Sequence, residues 1–356
     1  MKKVHIGRSA IAMASAMFFA GAAHAQSSVS LYGIYDAGLI YMSKTTANSG
    51  KLIAFNDSGN MPSIFGFTGT EDLGGGLSAV FKLESGFSAN TGGFNNSNGN
   101  LFGRDAWVGL KGGFGEVHAG LQQSPFFMSM VFQDPRNLSN FGSSMVFLAT
   151  TSGATGIFTP NSIQYTSPVL GGLQGSALFS FGGVAGNFQS GRQYSANLSY
   201  HWQGLGINAA YFNGNAGGTV STTPPTTEAL TGKLIGATYT FGSLTAKASY
   251  MKLKVAAGAN EDVYLGGLDY MITPALDVSA GVYHANNRNE SGSHTLLGSI
   301  GAVYFLSKRT SLYAQFGAVN NKGTQDIGLS MGLGGTTMFA PTGTTTGGSI
   351  GITHNF

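Results

Sequence analysis

The sequence has no cysteine, so neither a disulfide framework nor thiolate chemistry is open to it. It is short of charge: Asp, Glu, Lys and Arg make up 9% of the chain, against roughly 25% in soluble domains. A soluble chain of 356 residues covers its surface with charge, and this one has too little to do so. Yet beyond position 25 it holds no run of the ~20 apolar residues that a membrane helix needs. Catalytic signatures are missing too, with no H-E-x-x-H, G-x-S-x-G or P-loop pattern. His118, His201, His284, His294 and His354 fall on separate segments, and Glu84, Asp105 and Asp134 are scattered. An enzyme, a metal site and a bound cofactor are therefore not expected.

What is present begins with an address. Lys2, Lys3 and Arg8 precede an apolar stretch over 9–20, and Ala23-His24-Ala25 is a small-x-small cleavage site. Residues 1–25 read as a secretory signal that directs Sec export, and 26–356 as one domain. The signal takes three of the 18 Lys and Arg and none of the 15 Asp and Glu, leaving 15 against 15. The apparent basicity is thus no pointer to nucleic acid. Glycine is abundant, at 56 residues.

The hydrophobic period is two almost throughout. Tyr194, Ala196, Leu198, Tyr200 and Trp202 alternate with Gln193, Ser195, Asn197, Ser199 and His201. Leu244, Ala246, Ala248 and Tyr250 likewise alternate with Thr245, Lys247 and Ser249. The polar face carries Ser, Thr, Asn, Gln and Gly where a soluble sheet would carry Lys and Glu. Strands that meet lipid on one face and water on the other reconcile this pattern with the shortage of charge.

Sixteen such segments are predicted: 28–42, 62–70, 76–88, 102–111, 115–122, 161–168, 173–182, 192–203, 205–213, 232–241, 243–253, 261–272, 275–286, 295–306, 310–320 and 347–356. Short and long connections interleave strictly. That is the pattern of an all-β, 16-stranded antiparallel transmembrane barrel with short periplasmic turns and long external loops. Aromatics near the strand ends, among them Tyr35, Trp202, Tyr250 and Phe356, suit its two interfacial girdles.

Four stretches also carry a family resemblance. Ser28–Ala37 (S-V-S-L-Y-G-I-Y-D-A), Phe65–Gly76 (F-G-F-T-G-T-E-D-L-G-G-G), Ala106–Gly115 (A-W-V-G-L-K-G-G-F-G) and Gly351–Phe356 (G-I-T-H-N-F) resemble the β-proteobacterial branch of the general trimeric porins of Gram-negative bacteria. The resemblance implies the outer membrane, a homotrimer, and an hourglass pore narrowed by a third loop folding inward. Passive passage of ions and small hydrophilic solutes would follow, in contact with outer-membrane lipid and lipopolysaccharide. Arginines that the family commonly carries on either side of F-G-F are here Ile64 and Thr68, and a third corresponds to Leu121. These departures put the branch's usual anion selectivity in question.

The third loop, 123–160, is long enough that a function is expected of it. It holds Phe126, Phe127, Met128, Met130, Phe132, Phe141, Met145, Phe147 and Leu148, with Asp134 and Arg136 its only charges. The apolar groups either pack it on the inner wall or make a partly apolar eyelet that would prefer certain substrates. The expected pore lining is Asp36, Ile64, Thr68, Lys82, Glu84, Arg104, Asp105, Asp134, Arg136 and Lys247, with four acids balancing four bases. A non-conducting adhesin barrel is the alternative of another class, and an inward loop argues against it.

Overall fold

The structure is a computed structural model that describes residues 28–46, 50–153, 155–218 and 229–356. The expected signal, 1–25, lies outside the described residues. Strands run β1 (Ser28–Met42), β2 (Leu52–Asp57), β3 (Ile64–Gly74), β4 (Leu77–Gly86), β5 (Asp105–Gly112), β6 (Gly115–Gln123), β7 (Phe158–Thr166), β8 (Leu173–Ser180) and β9 (Gln193–Trp202). They continue with β10 (Leu205–Gly214), β11 (Leu230–Phe241), β12 (Leu244–Val255), β13 (Asn260–Thr273), β14 (Leu276–Asn287), β15 (His294–Phe305), β16 (Thr310–Lys322) and β17 (Gly343–Asn355). Every neighbour pair is antiparallel, and β1 pairs β17 from Ile34 opposite Asn355 to Met42 opposite Gly347, which closes the ring. Closure leaves no unpaired strand edge among the described residues, the condition for a sheet to survive in lipid.

Seventeen strands make sixteen barrel staves because β2 and β3 share one. The upper half of β1 pairs β2 (Met42 opposite Leu52) and its lower half pairs β3 (Ser28 opposite Thr70). Between the two, residues 58–63 turn inward, with Ser58 at φ 58°. The expectation that 43–61 is all loop is corrected here: 52–57 is strand. Elsewhere the expected and observed strand limits differ by a few residues.

The alternation sorts side chains as lipid and water demand. On β9, Leu198 and Trp202 are more than half exposed on the outside, whereas Gln193 and Ser195 are buried inside. The tightest connections need glycine. Gly74, Gly75 and Gly76 have φ of 84°, 63° and 79°, which side-chain-bearing residues rarely adopt.

The long third loop contains two helices that the period-two reading did not anticipate: α1 (Pro125–Gln133) and α2 (Ser144–Ser152). Their ends are locally encoded. The Ser124 hydroxyl accepts from Phe127 N and Pro125 occupies the first turn, while the Ser143 hydroxyl accepts from Met145 N and Gly153 stops α2 in the left-handed region.

Candidate functional site

The inward loop lies against the inner wall from β9 to β16. Phe126 N donates to Ser195 Oγ at 3.0 Å on β9, and Asn197 Nδ2 to Ser129 Oγ at 3.3 Å. Further along, Arg136 reaches Ser279 Oγ on β14 at 2.5 Å and Gln315 Oε1 on β16 at 2.6 Å. Ser299 on β15 donates to Gly142 O, and Asn140 Nδ2 to Ser58 O at 2.8 Å beside β1. Phe126, Met130, Phe141, Phe147 and Leu148 are all buried beneath it. These five pack the wall, whereas Phe132 is 59% exposed and Met128 and Met145 line an open cavity, so the apolar groups divide between the two expected arrangements.

That wall is shaped for the loop. A Cβ on Gly232 would come within 2.7 Å of the Phe126 ring, and one on Gly301 within 2.3 Å of the Arg136 guanidinium. The loop fits because those positions lack side chains.

Asp134 and Arg136 thus act as anchors. The Asp134 carboxylate accepts from Arg136 N (2.7 Å), Leu138 N (3.2 Å), Ser144 N (2.8 Å) and Tyr283 OH (3.1 Å). It joins the end of α1 to the start of α2 and to β14. Burial lowers the Arg136 pKa below the ordinary arginine value. Both side chains are buried, so neither presents its charge openly to the lumen, as their expected pore-lining role would require.

Asp36 departs from expectation in the same way. It sits on the inner face of β1 but is 0% exposed, covered by the inward turn 58–63. Its carboxylate accepts from Gly59 N (2.8 Å), Met61 N (3.1 Å), Tyr313 OH (2.9 Å) and Thr353 Oγ1 (2.8 Å). It holds the kink between β2 and β3 in place.

The opposite wall, β3 to β6, keeps its long polar side chains. Strand register puts Thr68 opposite Lys82, Gly66 opposite Glu84 and Glu84 opposite Asp105, all on one face with Ile64. There Lys82 Nζ lies 3.0 Å from Glu84 and 2.8 Å from Asp105, and Arg104 Nε 2.7 Å from Glu84. This is a quartet of zero net charge. Tyr32 OH donates to Glu84 and Trp107 Nε1 to Asp105, and Trp107 stacks on His118 at 3.7 Å. Glu84, Asp105, Arg104 and Ile64 are mostly buried, leaving Lys82 half-buried and Thr68 exposed. A bulge between Gly120 and Gln122 interrupts β6, and Leu121 packs toward the interior apolar cluster.

Lys247 on β12 donates to Asp134 O at 3.0 Å and to Asn137 Oδ1 at 2.6 Å. Beside it stand two lumen-facing carboxylates that the sequence reading passed over, Asp269 and Asp277. Asp269 accepts from Asn137 Nδ2 at 2.8 Å, and Asp277 lines a recess with Arg136 and Gln315. The parity of Leu268 and Tyr270, which face out, was the signal for Asp269.

Between the loop and the open wall lies a cavity of about 540 Å³ with Arg104 and Gln123 on one side. Met128, Val131, Leu138 and Met145 line the other, joined by Met61, Met331 and Met338.

A closed sixteen-stave barrel with a loop folded along its inner wall is a pore architecture, and sequence comparison agrees: the profile of the Gram-negative porins matches residues 10–324. The chain belongs to the Gram-negative porin family. It is a porin of the outer membrane, a passive channel for ions and small hydrophilic solutes. It is 30% identical over 331 residues to outer membrane porin protein 32 of Delftia acidovorans, covering 87% of this chain and 88% of that one. It is 32% identical over 180 residues to the major outer membrane protein P.IB of Neisseria meningitidis, covering 49% of this chain and 50% of that one. Among solved structures, an anion-selective porin from Comamonas acidovorans superposes with a TM-score of 0.80 at 28% identity, covering 93% of this chain and 100% of that one. Porins and their solved structures include a trimer form, that of OmpT of Vibrio cholerae.

Proposed function

We propose that this porin is a weakly ion-selective diffusion channel, constricted between the inward loop and the wall of β3 to β6. The observation that supports this is that the lumen-facing cations leave no surplus: Lys82 is neutralised within its quartet, and Lys247 stands against both Asp269 and Asp277. Arg104 and Lys82 offset Glu84 and Asp105, and Asp36, Asp134 and Arg136 serve as anchors. Where relatives carry cations, Ile64 and Thr68 supply none, and the positive potential that would concentrate anions is missing. The porin from Comamonas acidovorans is described as anion-selective, and this chain should be less so. The barrel works as a homotrimer, with Leu31, Ile350 and Ile352 near the closing seam packing against a neighbour, in a membrane of lipid and lipopolysaccharide.

Zero-current potentials of the reconstituted channel in a salt gradient test the reading. The native protein should give potentials near zero, and Ile64→Arg with Thr68→Arg should move them toward anions. That shift should fade above about 1 M salt, where the screening length is ~3 Å. Strong anion selectivity in the native channel contradicts the reading.

The methionine-lined cavity favours a second reading, in which amphipathic solutes are preferred. Polarisable thioethers accept flat apolar groups of varied shape. An aromatic anion should then block salt current more deeply in the native channel than in Met128→Thr with Met145→Thr.

A further inference from the structure

The outer surface of the barrel carries an unexplained concentration of positive charge. Arg192, Lys233, Lys252, Lys254, Arg288 and Lys322 lie on the outward face at the loop ends of β9, β11, β12, β14 and β16. They share parity with lipid-facing Leu198, Ile235, Val282 and Phe316, each about half exposed or more. At the centre of this belt, strand register sets Lys233 directly opposite Lys252 and Lys252 directly opposite Asp262. Like charges directly opposite one another are destabilising. The carboxylate relieves only one of them: Asp262 lies 3.0 Å from Lys252 Nζ, and Lys233 has no ion-pair partner among the described residues.

Asp262 does more than neutralise. Although it points outward it is 7% exposed, since Tyr250 OH donates to it at 2.8 Å and Arg288 Nε approaches at 3.4 Å. One carboxylate therefore holds Lys252 and Arg288 side by side and occupies few of their donors. With Lys233 and Lys254 beside them, four cations surround a single acid. The height is informative as well. Tyr250 and Tyr264, with ring centroids 5.2 Å apart, belong to the upper aromatic girdle, and Lys252 stands two residues beyond, roughly 7 Å further along the strand. That places the cations at the headgroup level of the outer leaflet, facing lipid, and away from the seam between β1 and β17.

We propose that Lys233, Lys252, Lys254 and Arg288 bind a phosphate group of the outer-leaflet glycolipid, with Asp262 and Tyr250 positioning the cations. A phosphomonoester supplies the charge that the row lacks and several acceptors for free ammonium and guanidinium hydrogens. The proposal rests on the reading that lipopolysaccharide surrounds the barrel.

Binding of purified lipopolysaccharide to the detergent-solubilised porin tests it, with dephosphorylated lipopolysaccharide, phosphatidylglycerol micelles and inorganic phosphate as separate probes. The native protein should bind intact lipopolysaccharide about tenfold or more tightly than Lys233→Gln with Lys252→Gln and Lys254→Gln. Dephosphorylation should remove the same margin. Lys233→Arg with Lys252→Arg should retain binding, which keeps the result independent of any folding defect in the glutamine variant. Equal affinity of native and glutamine-substituted protein overturns the proposal, as does indifference to dephosphorylation. Equally tight binding of phosphatidylglycerol or of phosphate alone overturns the assignment to the glycolipid. Single-channel conductance separates this from the channel reading: the glutamine variant should conduct like the native porin whichever way the lipid result falls.

Discussion

The two inner walls of this barrel face the same water yet are built from different residues. From β9 to β16 the inward positions that meet the loop mix small residues, Ser195, Gly232, Ser279, Ser299 and Gly301, with buried apolar or aromatic ones such as Phe212 and Tyr283. From β3 to β6 they are long and polar, with Lys82, Glu84, Asp105, Trp107 and His118. One wall is a socket and the other a lining. A lumen-facing position is therefore not by itself a selectivity position, since its meaning depends on whether the loop covers it.

That contrast can be broken by filling the socket. Phe126→Ala should cost about 3–5 kcal/mol, the range for removing a buried aromatic side chain, and should lower the thermal midpoint while making single-channel current noisy. Gly301→Val should cost about 1–3 kcal/mol by overpacking. It should displace Arg136 and change conductance more than any substitution of similar size on the open wall. Removing an anchor comes next. Arg136→Met deletes charged hydrogen bonds worth about 1.5–3 kcal/mol, and the loop between α1 and α2 should then become cleavable by protease.

Changes to the lining should act on ions and hardly on stability. Lys82→Gln should move the zero-current potential toward cations, and Asp277→Asn toward anions, with thermal midpoints little changed in the second case. The smallest effect concerns the external loops. The Glu290 carboxylate accepts from Ser293 Oγ at 2.8 Å and from Thr324 Oγ1, and these bonds lower its pKa. A group whose folded pKa is lowered contributes above its unfolded value and loses that contribution as pH falls through the folded one. Hydrogen-exchange protection of 288–293 and 323–326, taken relative to the intrinsic rate at each pH, should therefore fall on acidification below the ordinary glutamate range, and Glu290→Gln should abolish that dependence.

Most of the barrel was legible because lipid and water impose a period of two on every stave, and its glycine turns mark where staves end. β2 escaped because six residues between polar stretches are too short for alternation to stand out, and because it shares a stave with β3. The helices escaped because a period-two reading has no place for them, although Ser124-Pro125 and the span from Ser143 to Gly153 carry ordinary capping signals. Among the site residues, Lys82, Glu84, Ile64, Thr68 and Lys247 share the face that parity assigns them. Parity could not tell that residues 58–63 fold over Asp36, or that Asp134 and Arg136 would be spent on attaching the loop. Those facts arise from contacts between segments far apart in sequence. Asp269 and Asp277 were legible by the same parity and simply went unread.

The claim that the loop is docked on the wall of β9 to β16 is open to a direct measurement, because the native chain contributes no thiols. Ser129→Cys with Asn197→Cys places a cysteine on α1 beside one on β9, at side chains now 3.3 Å apart. Bridging them by oxidation or by a short bis-maleimide should go nearly to completion and leave single-channel conductance and zero-current potential unchanged. Poor bridging, or a bridge that alters the conductance of the folded porin, would show that the loop rests elsewhere.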